Sequence, residues 1–197
     1  MNPDRSKTTE LAVLLFDQQK DWAAWLKKNH DKAPGIWLRL AKKNSDRGSV
    51  TYQEALESAL CYGWIDGQKK SDDEDYWLQK FTPRSASSIW SKINRDKALL
   101  LMESGRMAPS GLKEVERAQS DGRWDAAYDS ASSAAVPADF QAALDANPRA
   151  RAFFATLNGS NRYAVLFRIQ AAKKAETRAK RIQDFTHMLE RHEKLHP

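Results

Sequence analysis

The stretch from Thr51 to Arg95, TYQEALESALCYGWIDGQKKSDDEDYWLQKFTPRSASSIWSKINR, constrains the fold more than any other part of this chain. Thr51 followed by Glu54 has capping-box spacing, in which each side chain satisfies a free N–H at a helix start. Ala55, Leu56, Ala59 and Leu60 then share one face at helical spacing, and Gly63 closes the helix. Trp64-Ile65-Asp66 reads as a short strand ended by Gly67. After the acidic turn Ser71–Asp75, the aromatic run Tyr76–Phe81 reads as a second strand, and the two form a hairpin. Pro83 ends the second run, and Ser87 or Ser88 caps a helix expected to begin near Ile89.

Asp66 is the first candidate for chemistry. On a strand Trp64 and Asp66 point to the same face, because side chains alternate with period two. A carboxylate beside an indole is either desolvated, which raises its pKa, or paired, which lowers it. Arg84, Arg95 or a backbone N–H could be its partner, and two readings stand side by side. Asp66 either ties down the turn at Gly67 or acts as an acid or base on a small molecule. Around the expected helix start, Arg84, Trp90, Asn94 and Arg95 gather, and a helix N-terminus offers N–H groups to an anion. An aromatic and basic pocket built from Trp64, Asp66, Arg84, Trp90 and Asn94 is therefore expected to take a small anionic or planar ligand. The competing reading puts Trp90 in the core and pairs Arg84 with Asp66 internally.

These residues carry a resemblance. Cys61-Tyr62-Gly63-Trp64-Ile65-Asp66-Gly67, Phe81-Thr82-Pro83-Arg84 and Trp90-Ser91-Lys92-Ile93-Asn94-Arg95, followed by Gly122-Arg123-Trp124-Asp125-Ala126-Ala127-Tyr128, Glu176-Thr177-Arg178 and Arg181-Ile182, resemble the YdeI/OmpD-associated family, also called bacteriocin-protection proteins. The resemblance runs over nearly the whole chain. It implies a soluble bacterial protein with a role in resistance to bacteriocins or antimicrobial peptides, and it carries over no catalytic residue.

The chain has 197 residues, enough for a sizeable core in one domain or two closely packed halves. It holds no run of 18 apolar residues, so no membrane insertion is expected, and its polar start lacks the apolar core of a signal peptide. The single cysteine, Cys61, excludes an internal disulfide, and a cytoplasmic location is the simplest expectation. The net charge of +6 is uneven. Ten bases and six acids give residues 1–49 a charge of +4, while four bases and seven acids give residues 50–84 a charge of −3. Residues 85–130 balance, and eleven bases against six acids leave residues 131–197 at +5. Such a C-terminal portion can attract anions or nucleic acid, but it is also an ordinary solvated helical surface. Strong nucleic-acid binding is not expected, because no motif interleaves aromatic and basic residues there.

Before the central stretch, Leu11–Phe16 is an apolar run that fits a strand or a buried helix, and Asp17 can cap a helix carrying Trp22, Trp25 and Leu26. Ile36, Leu38 and Leu40 alternate as a strand does. After it, helical spacing predicts one helix ending at Gly105 and a second from Pro109 to Gly122. An irregular connection over 123–136 follows, then helices near Pro137–Leu144, Pro148–Leu157, Asn161–Ala172 and Ala175–Arg191, with Ser160 as a cap. The expected fold is α+β: a small, mostly antiparallel sheet with helices in residues 1–84, a central helical segment over 85–130, and a basic helical half over 131–197 packed against it.

No phosphate-binding glycine loop, no dinucleotide fingerprint and no Gly-x-Ser-x-Gly occurs. None of the four histidines falls in the central stretch, which counts against a Ser/His or Cys/His nucleophile. His192 and His196 have metal-capable spacing but no carboxylate partners nearby, and Asp72–Asp75 lacks the glycine and terminal glutamate of a calcium loop, so neither a metal site nor a cofactor is expected. In the last helix Arg178 shares the stripe of Ile182, Phe185 and Leu189, so it must be paired or face a ligand. Asp66 or the helix start at Trp90 is its expected counterpart. The sequence thus favours a ligand-binding protection protein, with an enzyme using Asp66 or nucleic-acid binding through the C-terminal helices as alternatives.

Overall fold

A computed structural model describes residues 10–197, in which eight helices and a four-stranded sheet are formed. The chain divides into two units. One runs to Ile89 and resumes over Asn94–Asp125; the other comprises Trp90–Ile93 and Ala126–Pro197.

In the first unit the strands are β1 (Val13–Leu15), β2 (Ile36–Ala41), β3 (Trp64–Ser71) and β4 (Tyr76–Pro83), in the spatial order β1-β2-β4-β3. The hairpin β3/β4 and the pair β2/β4 are antiparallel, but β1 runs parallel to β2, so the sheet is mixed. The ambiguous run Leu11–Phe16 therefore resolves as a strand at its centre. Burial along β2 alternates as expected, with Ile36, Leu38 and Leu40 inside. Helix α1 (Gln19–Asn29) begins after Gln18, whose side chain makes no cap; Asp17 does not serve as one. Helix α2 (Tyr52–Cys61) has the full capping box between Thr51 and Glu54, and hydrogen bonds from the Thr51 N–H and hydroxyl hold the Glu54 carboxyl below its usual range. Gly63 follows at φ +75°, a conformation costly for most other residue types.

The core of this unit is aromatic. Trp22 stacks on Trp25 at 5.4 Å, and Trp64 meets both edge-on at 6.3 and 5.8 Å. Phe16 and Phe81 close on Trp22 at 5.5 and 5.7 Å. A buried indole needs an acceptor for its N–H. Trp22 donates to the carbonyl of Ala55, and Trp64 to that of His30. Helices α3 (Lys92–Glu103) and α4 (Pro109–Ser120) follow, and α4 approaches α2 so closely that a Cβ on Gly111 would lie 2.3 Å from the Cys61 carbonyl oxygen.

Helix α3 starts later than the serine caps at Ser87 and Ser88 would place it, at Lys92 instead of near Ile89. The backbone of Trp90–Lys92 is occupied by a segment far along the chain: Tyr128 N–H donates to the Trp90 carbonyl, and Lys92 N–H to that of Tyr128. Trp90 thus precedes the helix and does not share a helical face with Asn94.

The second unit contains α5 (Ala138–Asp145), α6 (Pro148–Thr156), α7 (Gly159–Gln170) and α8 (Ala175–Glu190). Their core gathers Phe140, Leu144, Phe154, Val165, Ile169, Phe185 and Leu189. Asn147 caps α6 and Asn158 caps α7, so the cap falls before Ser160 rather than on it. Asn161 is 1% exposed and fully engaged, its carboxamide joining Asn158 and both backbone groups of His196.

Candidate functional site

Each candidate residue has a local role in the structure. Trp64 is 1% exposed inside the aromatic cluster. Asp66 is half-buried on β3 opposite Phe81, where it accepts a 2.8 Å hydrogen bond from the Tyr52 hydroxyl at the start of α2. Arg84 is buried; its backbone N–H donates to the Gly63 carbonyl and its guanidinium to that of Ile89. Two further arginines, Arg117, which no motif includes, and Arg123, from the Gly122–Tyr128 motif, act on the same loop. Arg117 donates to the Ser85 carbonyl, and buried Arg123 to that of Ser88 while paired with Asp121. This is a guanidinium clamp on a backbone loop, made of charge-assisted hydrogen bonds to its carbonyls.

Trp90 is 1% exposed in the second unit, and Asn94 is half-buried on the first turn of α3. Arg178 finds its carboxylate inside the second unit. It grips Asp139 through two bonds of 2.6 and 2.8 Å and donates a third to the Ile169 carbonyl. Those hydrogen bonds hold the Asp139 carboxyl below its ordinary range and the guanidinium above its own. Arg178 therefore has neither Asp66 nor the Trp90 segment as its carboxylate counterpart.

Three cavities bear on function. A groove of about 600 Å³ lies between α5 and α8, floored by alanines and Ile182, with its charged groups Arg178 and Asp139 already satisfied by each other. A cavity of about 320 Å³ is bordered by Ser58, Cys61 and Arg106. Burial pushes the Cys61 thiol up, away from the thiolate that reactivity needs, and Arg106 is paired with Glu57.

The third, about 450 Å³, is lined by Lys42, Lys69, Lys70, Ser71 and Trp77. The register of the hairpin builds it, because Lys69 opposes Gln79 and Ser71 opposes Trp77, so these residues share one sheet face. Among the described residues none of the three lysines is ion-paired. Three of the four acids in the hairpin turn pair with arginines: Asp72 and Asp73 with Arg39, and Asp75 with Arg47. Lys42 donates to the Asp73 carbonyl and its charge also acts on the Asp73 carboxylate, while Lys70, on the opposite sheet face, sits 4.4 Å over the Trp37 ring. Trp77 is half-buried, its ring 6.1 Å from that of Tyr52. No group of three His, Cys, Asp or Glu able to hold a metal forms among the described residues.

Between Asp66 and Lys69 the hairpin bulges, and Gln79 occupies the bulge. It is 3% exposed, and its carboxamide donates to the carbonyls of Gly67 and Gln68. A glutamine at the alternate position between Trp77 and Phe81 on one strand face was the available signal for this residue, since a buried amide in such a run has to serve backbone acceptors.

An α+β protein with a mixed sheet and a lysine- and indole-lined cavity is the class these features define. Residues 14–114 match the family described as a domain of unknown function (DUF8412), to which the chain belongs over more than half its length, and residues 133–192 match the family described as Bacteriocin-protection, YdeI or OmpD-Associated. The second match holds the Glu176-Thr177-Arg178 and Arg181-Ile182 motifs; the Cys61–Arg95 motifs fall inside the first, and Gly122–Tyr128 lies outside both. No curated protein and no solved structure matches the chain. Among the described residues no helix is long and apolar enough to cross a membrane.

Proposed function

We propose that this protein binds a small anionic ligand in the cavity of Lys42, Lys69, Lys70, Ser71 and Trp77, and that any protective role of the kind its C-terminal family description names works through this binding. One observation carries the reading: three lysines, none of them in a salt bridge among the described residues, line one cavity beside an indole. Its volume lies within the range of roughly 300–1,000 Å³ typical of small-molecule sites. The ligand class is that expected from the sequence, moved from the Trp90 segment to the turn end of the hairpin. A cytoplasmic location goes with this reading, because the one cysteine is a buried free thiol and no disulfide is called for.

The test is calorimetric titration of the full chain with inorganic phosphate at low and physiological salt. Saturable binding that weakens with salt and is lost in Lys42→Ala/Lys69→Ala supports the proposal. Equal heats from the wild type and the double variant would sink it. A bacterial strain carrying the same double variant, challenged with a cationic antimicrobial peptide, then separates binding from protection: wild-type survival would detach the protective role from this cavity.

A further inference from the structure

We infer that the ligand is an aromatic phosphate of mononucleotide size, its ring against Trp77 and its phosphate among the lysines, and that Tyr52 and Asp66 set the indole in place. This inference rests on the anion-binding reading above and names its ligand class.

Trp77 brings a flat apolar face to a cavity whose other lining residues are three lysines and a serine. Inorganic phosphate would leave that face wet, and an uncharged aromatic would leave the cations unused. A ligand with both parts uses the whole lining. Lys42, Lys69 and the Ser71 hydroxyl suit a dianion with three terminal oxygens better than a monoanionic carboxylate, since each oxygen can accept from a separate donor. Lysine ammoniums, as compact charges on long stems, bind phosphate without demanding the fixed fork that guanidinium imposes.

The indole is held from behind. Tyr52 lies at a tilt of 42° to Trp77, and its hydroxyl donates to Asp66, which β3 carries in register with Phe81. Removing the acceptor takes away the hydrogen bond that orients the Tyr52 hydroxyl, and so loosens the surface on which Trp77 rests. Asp66 is thus a positioning residue two steps from the ligand, which reconciles its turn-tying and functional readings.

Adenosine 5′-monophosphate, inorganic phosphate and adenosine, titrated separately into the full chain, test this. The nucleotide should bind about tenfold tighter than phosphate, the scale of one base stacked on an aromatic ring, and also tighter than adenosine. Trp77→Leu should erase that advantage and leave phosphate affinity unchanged, while Trp77→Phe should keep part of it. Asp66→Ala should reduce nucleotide affinity without touching phosphate, and Asp66→Asn, which retains a carbonyl acceptor for Tyr52, should restore it. Equal binding of nucleotide and phosphate by the wild type would overturn the aromatic subsite and leave anion binding standing. Adenosine binding as tightly as the nucleotide would overturn the phosphate assignment. If neither phosphate nor nucleotide binds, the proposed function falls together with this inference.

Discussion

The sheet-bearing unit and the helical unit solve the same packing problem with different side chains. In the first, large indoles fill the core, and each carries an N–H that has to find a carbonyl, so Trp22 and Trp64 fix the backbone at Ala55 and His30 while they exclude water. In the second, phenylalanines and aliphatics fill the four-helix core without polar obligations. Its backbone groups are satisfied by asparagines at helix starts and by the Arg178–Asp139 clamp. The first arrangement couples packing to hydrogen bonding in the same residue; the second separates them. Substitutions should therefore behave differently in the two regions.

The largest effect expected is in the helical unit. Deleting residues 175–197 removes Phe185 and Leu189 from its core, each worth about 2–5 kcal/mol, against a typical total stability of roughly 5–15 kcal/mol. Hydrogen exchange should show protection lost throughout α5–α7. Retained protection there would mean that α8 only decorates this unit.

Trp64→Ala should cost about 3–5 kcal/mol, read from denaturant midpoints. Trp64→Phe sharpens the comparison, because it keeps much of the apolar volume and strands the His30 carbonyl; the expected loss is about 1–3 kcal/mol. A stable Trp64→Phe would show that the indoles serve as bulk alone. The helical counterpart is Asn161→Ala, which leaves the His196 backbone groups without their partner at a cost of about 1–3 kcal/mol, with no change in core packing. Its signature is frayed exchange at the C-terminus rather than a loosened core.

Smallest is the surface clamp. Arg178→Ala should cost about 1 kcal/mol at neutral pH, because the pair is partly solvated. Lys180→Ala, whose pair with Asp184 spans 3.8 Å on an open face, should cost roughly 0–0.5 kcal/mol. Since Asp139 is held below its ordinary pKa, the clamp's contribution is present above the unfolded carboxylate value of about 3.9 and fades as pH falls through the lower folded value. The gap between Arg178→Ala and wild type should therefore close in acid; a gap that persists there would assign Arg178 a packing role instead.

Local signals were the legible ones. The Thr51–Glu54 box, the alternation of Ile36, Leu38 and Leu40, the hairpin and the helices from Pro109 onward are encoded within a few residues of where they act. The start of α3 was not, because Ser88 offers a cap while Tyr128, far along the chain, claims the backbone before Lys92. The parallel pairing of β1 with β2 is equally non-local. At the candidate site, Trp64 and Asp66 stood out because a tryptophan and a lone aspartate share one strand. Lys69, Ser71 and Trp77 did not, because alternation counted from Asp66 puts Lys69 and Ser71 on the opposite face. Only the bulge, invisible in local pattern, brings them round.

That bulge behaves like a change of reading frame written into a strand. One extra residue between Asp66 and Lys69 shifts the phase of everything downstream in β3, so a single-residue deletion at Gly67 or Gln68 would turn Lys69 and Ser71 to the opposite face and bring Lys70 onto theirs. Gln79 keeps the inserted residue in the frame by holding the two carbonyls it leaves unladdered. Among relatives, the lining of this cavity could thus be rewritten by a codon gained or lost in the hairpin as readily as by any substitution, with Gln79 recording which frame a given chain uses.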